Sequence, residues 1–188
     1  FVYALNETVD VPGMGAVRYD IAFGGAFYAF CRAEELGVSL DPAHFRSLMD
    51  MGMRVKRAVM DTHPLQHPFS EELSFLYGTV IVGEPRDPAH HSRNVCIFAD
   101  GEVDRSPTGT GVSARAALHH ARGELELGQE FTVESILGTT FTGRVEDTTV
   151  FGPYSAVIPR VTGTSHITGR GEILIDPRDP LRNGFILR

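Results

Sequence analysis

Residues 104–114 read DRSPTGTGVSA, a polar loop that runs directly into an alanine-rich stretch ending near Gly123. Two glycines at alternate positions let the backbone turn sharply and approach a ligand closely. A helix that begins here points its free N–H groups and the positive end of its dipole toward the loop. The sequence therefore predicts a helix from about Thr110 to Arg122, with a binding place for a carboxylate or phosphate at its start.

Two side chains of this loop are candidate polar partners of such a ligand. Thr108 stands at the tip of the predicted turn, and Asp104 lies four residues upstream. Asp104 can direct a counter-charge toward a substrate amine, so that the loop and the helix start together hold a zwitterion. The other interpretation is a plain turn with a helix N-cap supplied by Thr110, and spacing alone favours neither.

The composition is typical of an ordinary soluble enzyme domain. The chain has 188 residues, of which 42% are hydrophobic and 22% charged, enough for one or two domains with a sizeable core. Its 17 basic and 24 acidic residues give a formal net charge of -7, which argues against nucleic-acid and anionic-membrane binding. No apolar run is long enough to span a bilayer and the start lacks the features of a signal peptide, so we expect a cytoplasmic protein.

The rest of the chain is predicted to contain several strands and one further helix. Apolar residues recur at near-helical spacing from Pro42 to Met60. Apolar and β-branched runs predict strands at residues 16–21, 26–30, about 73–82, 94–99, 131–137, 139–145 and 154–161, with a break at Gly24-Gly25. Turns among the last three strands are expected at Gly138, Gly143 and Gly152-Pro153.

Neither the cysteines nor the histidines form a pattern that indicates a metal site. Cys31 and Cys96 both lie in apolar runs and are interpreted as small buried residues. A disulfide between them stays open, although two cysteines fit a reducing compartment better. His63 and His67 are four residues apart, but the prolines that follow them disfavour a regular helix. Because no third ligand follows at a known spacing, we predict no metal.

Residues 104–111 resemble the proline racemase family, whose members carry Asp-Arg-Ser-Pro-Cys-Gly-Thr-Gly at this place; Thr108 stands where they have the cysteine. Further stretches resemble the family in the same order: DIAFGGAFYAF at 20–30, FLYGT at 75–79, NVCIFA at 94–99, HITG at 166–169 and DPLRNGF at 179–185. The resemblance covers nearly all of the chain and corresponds to about the C-terminal half of a family member.

This resemblance implies an α+β fold of the diaminopimelate epimerase type, in which each domain wraps a curved β-sheet around a central helix. The central helix is then the one that follows Thr108, and its alanines allow strands to come close. Residues 1–22 are expected to be the end of a first domain and the crossover. Residues 23–162 are expected to form the second epimerase-like domain, and residues 163–188 a return segment that packs on the first.

The resemblance also implies an activity. Two cysteines flank the substrate's α-carbon in the family, and threonine in place of one of them resembles the branch that dehydrates trans-3-hydroxy-L-proline to pyrroline-2-carboxylate. That reaction needs no cofactor. Thr108 is then the candidate catalytic residue beside this small imino acid. Asp104 is expected to bind the positive ring nitrogen, and the backbone N–H groups of Gly109 and Thr110 the carboxylate.

One departure from the family pattern concerns the second half of the active site. The family's first catalytic cysteine lies in a Met-Cys-Gly-His motif, which does not occur in this chain. The α-proton is therefore expected to be removed by a cysteine of a missing N-terminal half, which is the expected partner. The chain alone is expected to be inactive, and a homodimer stays open.

Two alternatives to the dehydratase are kept. A proline racemase or 4-hydroxyproline 2-epimerase is disfavoured by Thr108, because an alcohol is too weak an acid to exchange the α-proton. A non-catalytic half-domain that only binds a small amino acid or a partner chain is favoured by the absence of the cysteine motif if this chain is the natural product.

Overall fold

The computed structural model describes residues 1–186, which contain two α-helices and nine strands. The elements are β1 (Val2–Val11), β2 (Gly15–Phe23), β3 (Phe27–Arg32), α1 (Phe45–Thr62), β4 (Leu76–Gly83), β5 (Ser92–Phe98), β6 (Glu102–Val103), α2 (Gly109–Ala121), β7 (Glu130–Ser135), β8 (Thr140–Phe151) and β9 (Tyr154–Thr162). Short 3-10 turns at Pro42–His44 and Glu71–Leu73 precede α1 and β4.

The strands form one mixed sheet in the order β1-β2-β3-β4-β5-β7-β8-β9, with β6 paired to β5. Neighbouring strands run antiparallel except in the pairs β3–β4 and β5–β7. Parallel neighbours need a crossover, and α1 and α2 lie in these two connections. Because the strand direction reverses between β4 and β5, two crossovers of the same hand place their helices on opposite faces of the sheet.

Helix α2 is enclosed by the curved sheet. It contacts β1 and β2 at one end of the strand order and β8 and β9 at the other, and β1 also contacts β9. Small side chains allow this close approach, since Ala114, Ala116 and Ala117 are all buried. The predicted α+β architecture, with a curved sheet around a central helix, is confirmed.

Gly143 lies inside β8, so the turn predicted there is wrong. A Cβ atom at this position would crowd the ring of Phe131 and the side chain of Val112, which belongs to α2. The glycine therefore permits the sheet to pack closely on the helix. Strand β8 continues past it to Phe151, six residues beyond the predicted end at Val145.

Helix α1 covers the outer face of the sheet. Its side chains Leu48, Val55 and Val59 are buried in a core shared with residues of β4 and β5. The helix begins later than predicted, because the Asp41 carboxylate accepts a hydrogen bond from the Ala43 N–H and caps a separate 3-10 turn.

The two cysteines belong to different cores. Cys31 lies in the outer core with α1, whereas Cys96 lies in the inner core beside α2. Both thiols are free and buried, as predicted, and the disulfide kept as an alternative is wrong.

Residues 163–186 form no helix or strand and are exposed along their length. The Asp179 N–H donates to the Asp176 carbonyl and closes a turn in this segment. The domain limits at residues 22 and 162, and the packing of the last segment on another domain, stay predictions; residues 187 and 188 lie outside the described part. Of the helices in residues 1–186, not one combines the length and apolar character needed to cross a membrane.

Candidate active site

The loop between β6 and α2 is held together by hydrogen bonds to one carboxylate. The Thr108 hydroxyl donates to Oδ2 of Asp104 at 2.8 Å, and the Ser106 N–H donates to Oδ1 at 2.8 Å. The Ser106 hydroxyl oxygen accepts from the Thr108 N–H at 3.0 Å. The Asp104 N–H in turn donates to the Cys96 carbonyl, which attaches the loop to β5. Asp104 and Thr108 are thus in direct contact.

Thr108 is the N-cap residue of α2 and has a left-handed backbone, with φ of 67°. This conformation is unfavourable for a β-branched residue and persists only where the surroundings impose it. Its side chain makes no capping hydrogen bond, because the hydroxyl is directed to Asp104. The alternative with Thr110 as the N-cap is wrong, since Thr110 lies inside the first turn of the helix.

The first turn of α2 presents donors without acceptors. Within residues 1–186, the backbone N–H groups of Gly109, Thr110 and Gly111 make no hydrogen bond. The next N–H, of Val112, donates to the Thr108 carbonyl at 2.8 Å. The first turn contains no acidic side chain. These three N–H groups and the helix dipole together favour a small anion.

The β2–β3 connection forms one wall of this site. A Cβ atom at Gly24 would overlap the Thr110 carbonyl oxygen and the Ala114 nitrogen, so only glycine fits against this turn of α2. Tyr28, which is 1% exposed, shares a 2.6 Å hydrogen bond with the Thr110 hydroxyl. Burial raises the pKa of Tyr28, which keeps the phenol neutral and able to donate.

Cys96 lies beneath the loop but is unsuited to act as a base. Burial, and to a smaller extent the charge of Asp104, raise the pKa of its thiol to about 12. The pKa of Cys31 is also raised to about 12, mainly by burial. A thiolate is the reactive form, so neither cysteine supplies a proton acceptor near neutral pH.

A second chain of hydrogen bonds reaches the loop from inside the fold. The Asn94 amide donates to the Pro107 carbonyl at 3.2 Å, and its oxygen accepts from Arg115 Nη1 at 3.3 Å. Asn94 and Arg115 are 1% and 2% exposed. Because Pro107 directly precedes Thr108, this chain helps to impose the left-handed conformation of Thr108.

The structure brings Asp104, Thr108, Gly109 and Thr110 together at one end of α2. The sequence analysis did not predict that Tyr28 and Asn94 contribute hydrogen bonds to this site. The signal for Asn94 is a polar residue at the start of a buried apolar run, where an amide needs partners. The signal for Tyr28 is weaker, because a tyrosine in an apolar strand is usually part of the core.

The histidines named as metal candidates have separate partners. His63 Nδ1 contacts the Tyr19 hydroxyl at 3.1 Å, and His67 Nδ1 accepts from the Phe69 and Ser70 N–H groups. Among the described residues, no cluster of three or more His, Cys, Asp or Glu side chains has a geometry that could hold a metal ion.

Comparisons with known proteins agree on one family. A family model described as proline racemase matches residues 1–186. The chain is 48% identical over 188 residues to a trans-3-hydroxy-L-proline dehydratase from Colwellia psychrerythraea, covering 100% of this chain and 53% of the relative. It is 41% identical over 188 residues to a proline racemase from Clostridioides difficile, covering 100% and 56%.

A solved structure gives the same result for the fold. The chain superimposes with a TM-score of 0.88 on a hydroxyproline epimerase from Agrobacterium vitis with bound trans-4-hydroxy-L-proline, at 35% identity. The match covers 100% of this chain and 53% of the other. The chain thus spans about half the length of the relatives that it matches.

Proposed function

The chain belongs to the proline racemase family, and we propose that it forms one half of the active site of a dehydratase that converts trans-3-hydroxy-L-proline to pyrroline-2-carboxylate. The observation that carries this proposal is the contact between the Thr108 hydroxyl and Asp104 at the open end of α2. An alcohol there leaves this half of the site without a second base.

Binding of the substrate carboxylate is assigned to the first turn of α2. The N–H groups of Gly109 and Thr110 have no acceptor among the described residues and point in the direction of the helix dipole. When the α-proton leaves, negative charge spreads from the α-carbon into the carboxylate. Donors that are already oriented stabilise this charge without rearranging, which lowers the barrier of the chemical step.

Asp104 is assigned to the positive ring nitrogen. Each of its carboxylate oxygens accepts one hydrogen bond within the loop, from Ser106 and from Thr108. A carboxylate has about four acceptor positions, so both oxygens retain capacity for the N–H groups of a secondary ammonium. The loop bonds fix the orientation of the carboxylate before the substrate arrives.

We assign removal of the α-proton to a cysteine thiolate contributed from outside this chain. The chain's own thiols are buried and their pKa values are raised to about 12. The Thr108 alcohol is far too weakly acidic to exchange the proton. One-base chemistry from the opposite side of the substrate is consistent with this arrangement.

The elimination then balances without a redox partner. The thiolate takes the α-proton, the electrons of that C–H bond form the double bond to C3, and the C3–O bond breaks. The leaving hydroxide takes up a proton from the solvent and departs as water, and the thiol later returns the α-proton to the solvent. We assign Thr108, beside Asp104, to orient the leaving group. The remaining enamine tautomerises to pyrroline-2-carboxylate. The reaction as written needs no cofactor.

A racemase or epimerase is the second candidate, supported by relatives with those names. It needs a second acid and base on the side that Thr108 occupies, which an alcohol does not provide. A half-domain that only binds an amino acid is the third candidate, supported by the burial of both cysteines.

Proton NMR in D2O separates these candidates. The full-length protein that contains this chain is incubated with trans-3-hydroxy-L-proline. We expect loss of the substrate signals and appearance of pyrroline-2-carboxylate. Deuteration at the α-carbon with inversion and without loss of water would mean an epimerase, and an unchanged spectrum would favour the binding half-domain.

A further inference from the structure

Arg115 carries a buried positive charge that no carboxylate of residues 1–186 neutralises. It lies in α2, six positions after Gly109, and is 2% exposed. Among the described residues, no carboxylate oxygen lies within 4.0 Å of its guanidinium, so it takes part in no ion pair. Its partners are Asn94 Oδ1 at 3.3 Å, His91 Nδ1 at 3.4 Å and His119 Nε2 at 3.2 Å.

Both histidines beside Arg115 are held in the neutral form. His119 Nδ1 is 2.7 Å from a carboxylate oxygen of Glu124, so Nδ1 carries the proton and Nε2 faces Arg115 as an acceptor. Burial and the charge of Arg115 lower the pKa of His119 to about 4, and the same causes lower the pKa of His91. The guanidinium is therefore surrounded by neutral acceptors and keeps its charge.

A cavity of about 410 Å³ opens onto this group, and Arg115, His91 and His119 are part of its lining. The other lining arginines are already paired with carboxylates: Arg18 with Glu35, Arg32 with Glu34 and Arg122 with Asp20. Arg115 is thus the uncompensated cation of this cavity within residues 1–186. The cavity has the size range of small-molecule sites.

We propose that this cavity is a second ligand site, which binds a small monocarboxylate through the Arg115 guanidinium. A guanidinium has five N–H donors, and three of those of Arg115 are directed to Asn94, His91 and His119. The Nε–H and the second Nη1–H make no hydrogen bond with the described residues, so they remain available to the oxygens of a carboxylate. Glu84 also lines the cavity, is exposed and makes no ion pair with the described residues. The lining carboxylates disfavour a dianion such as phosphate, so the ligand carries a single charge. This site is separate from the loop that holds Asp104.

The test follows the imidazole signals of His91 and His119 by nitrogen-15 NMR of the full chain at pH 7. Sodium acetate is the probe, sodium phosphate tests the dianion, and sodium chloride at matched ionic strength is the control. We expect saturable shifts with acetate, with a dissociation constant on the order of 10 mM, and no saturation with chloride. Saturation with phosphate alone, or equal shifts with all three salts, would overturn the proposal.

Two variants locate the ligand. Arg115→Gln removes the charge and is expected to weaken acetate binding at least tenfold. Glu84→Gln removes a negative charge from the cavity lining and is expected to strengthen acetate binding about twofold to threefold. If Arg115→Gln does not fold, unchanged affinity in Glu84→Gln counts against the site.

Acetate can also bind at the start of α2, so the Gly109 and Thr110 amide signals are followed in the same titration. Shifts confined to those amides would overturn the cavity site while leaving the proposed function intact. Shifts confined to the histidines would support the cavity site, and the proposed function would then be tested separately by the proton NMR experiment in D2O.

Discussion

At its N-terminal end α2 carries positive character in three backbone N–H groups that make no hydrogen bond within the described chain, whereas at its middle a buried guanidinium carries the positive charge. The first region is lined by glycine backbone and a strained threonine. The second is a network of neutral side chains around a permanent charge. The difference suggests that a charge which develops during a reaction is met by oriented dipoles, while a permanent charge requires stable acceptors.

The largest expected effect comes from filling the space beside the N-terminal end. In Gly24→Ala the new methyl group meets backbone atoms of α2, which cannot move independently of the helix. We expect the free energy of unfolding to fall by about 3 kcal/mol, measured by urea denaturation. Gly171→Ala is the control, because nothing lies within 4 Å of its Cβ position. Equal stabilities of the two variants would contradict the close approach.

Removing the charge of Asp104 tests the role of the N-terminal end in binding. Asp104→Asn keeps the shape and an acceptor for the Thr108 hydroxyl but loses the counter-charge for the ring nitrogen. We expect kcat/KM of the full-length protein for trans-3-hydroxy-L-proline to fall about a hundredfold, equivalent to about 2.7 kcal/mol, mainly through KM. Asp100→Asn, in the exposed turn before β6, is expected to stay within about twofold. Little change in Asp104→Asn would refute the assigned role.

Low pH is expected to destabilise the fold through His119, in the C-terminal half of α2. The pKa of His119 is lowered to about 4 by burial and by Arg115, against an ordinary value near 6.5. Between these values the unfolded chain binds the proton and the folded chain does not, so stability is lost as pH falls from 6.5 toward 4. From pH 7 to 4.5, we expect wild type to lose about 2 kcal/mol more than His119→Gln in urea denaturation. Parallel losses would show that His119 does not titrate this way.

The smallest effect is expected from Tyr28→Phe. The change removes the hydrogen bond to the Thr110 hydroxyl and leaves the buried ring in place. We expect the free energy of unfolding to fall by about 1 kcal/mol, with a rise of a few-fold in KM and little change in kcat. Tyr77→Phe, on the neighbouring strand, serves as the control. A large fall in kcat with unchanged KM would mean that the phenol takes part in the chemistry.

The sequence predicts the first of these two regions but not the second. The glycines and alanines of residues 104–123 predict the loop, the helix and its anion-binding end, because these features depend on local backbone preferences. The enclosing sheet followed from the family resemblance, and the structural comparison confirms it.

What the sequence did not reveal depends on contacts between distant residues. The Asn94 bond to Pro107 joins β5 to the loop before α2, and the bond between Arg115 and Asn94 joins α2 to β5. No local pattern encodes these pairings. The turn predicted at Gly143 is wrong for the same reason. Its role is set by Phe131 and Val112, which face it only in the folded sheet.

The most direct test of the N-terminal assignment is amide NMR of the full-length protein, labelled with nitrogen-15 at glycine and threonine. The substrate trans-3-hydroxy-L-proline is titrated under conditions where turnover is slow. The account predicts saturable shifts of the Gly109, Thr110 and Gly111 amides, which Asp104→Asn weakens. Product formation without any shift of these three amides would contradict the central claim that the open turn of α2 holds the substrate carboxylate.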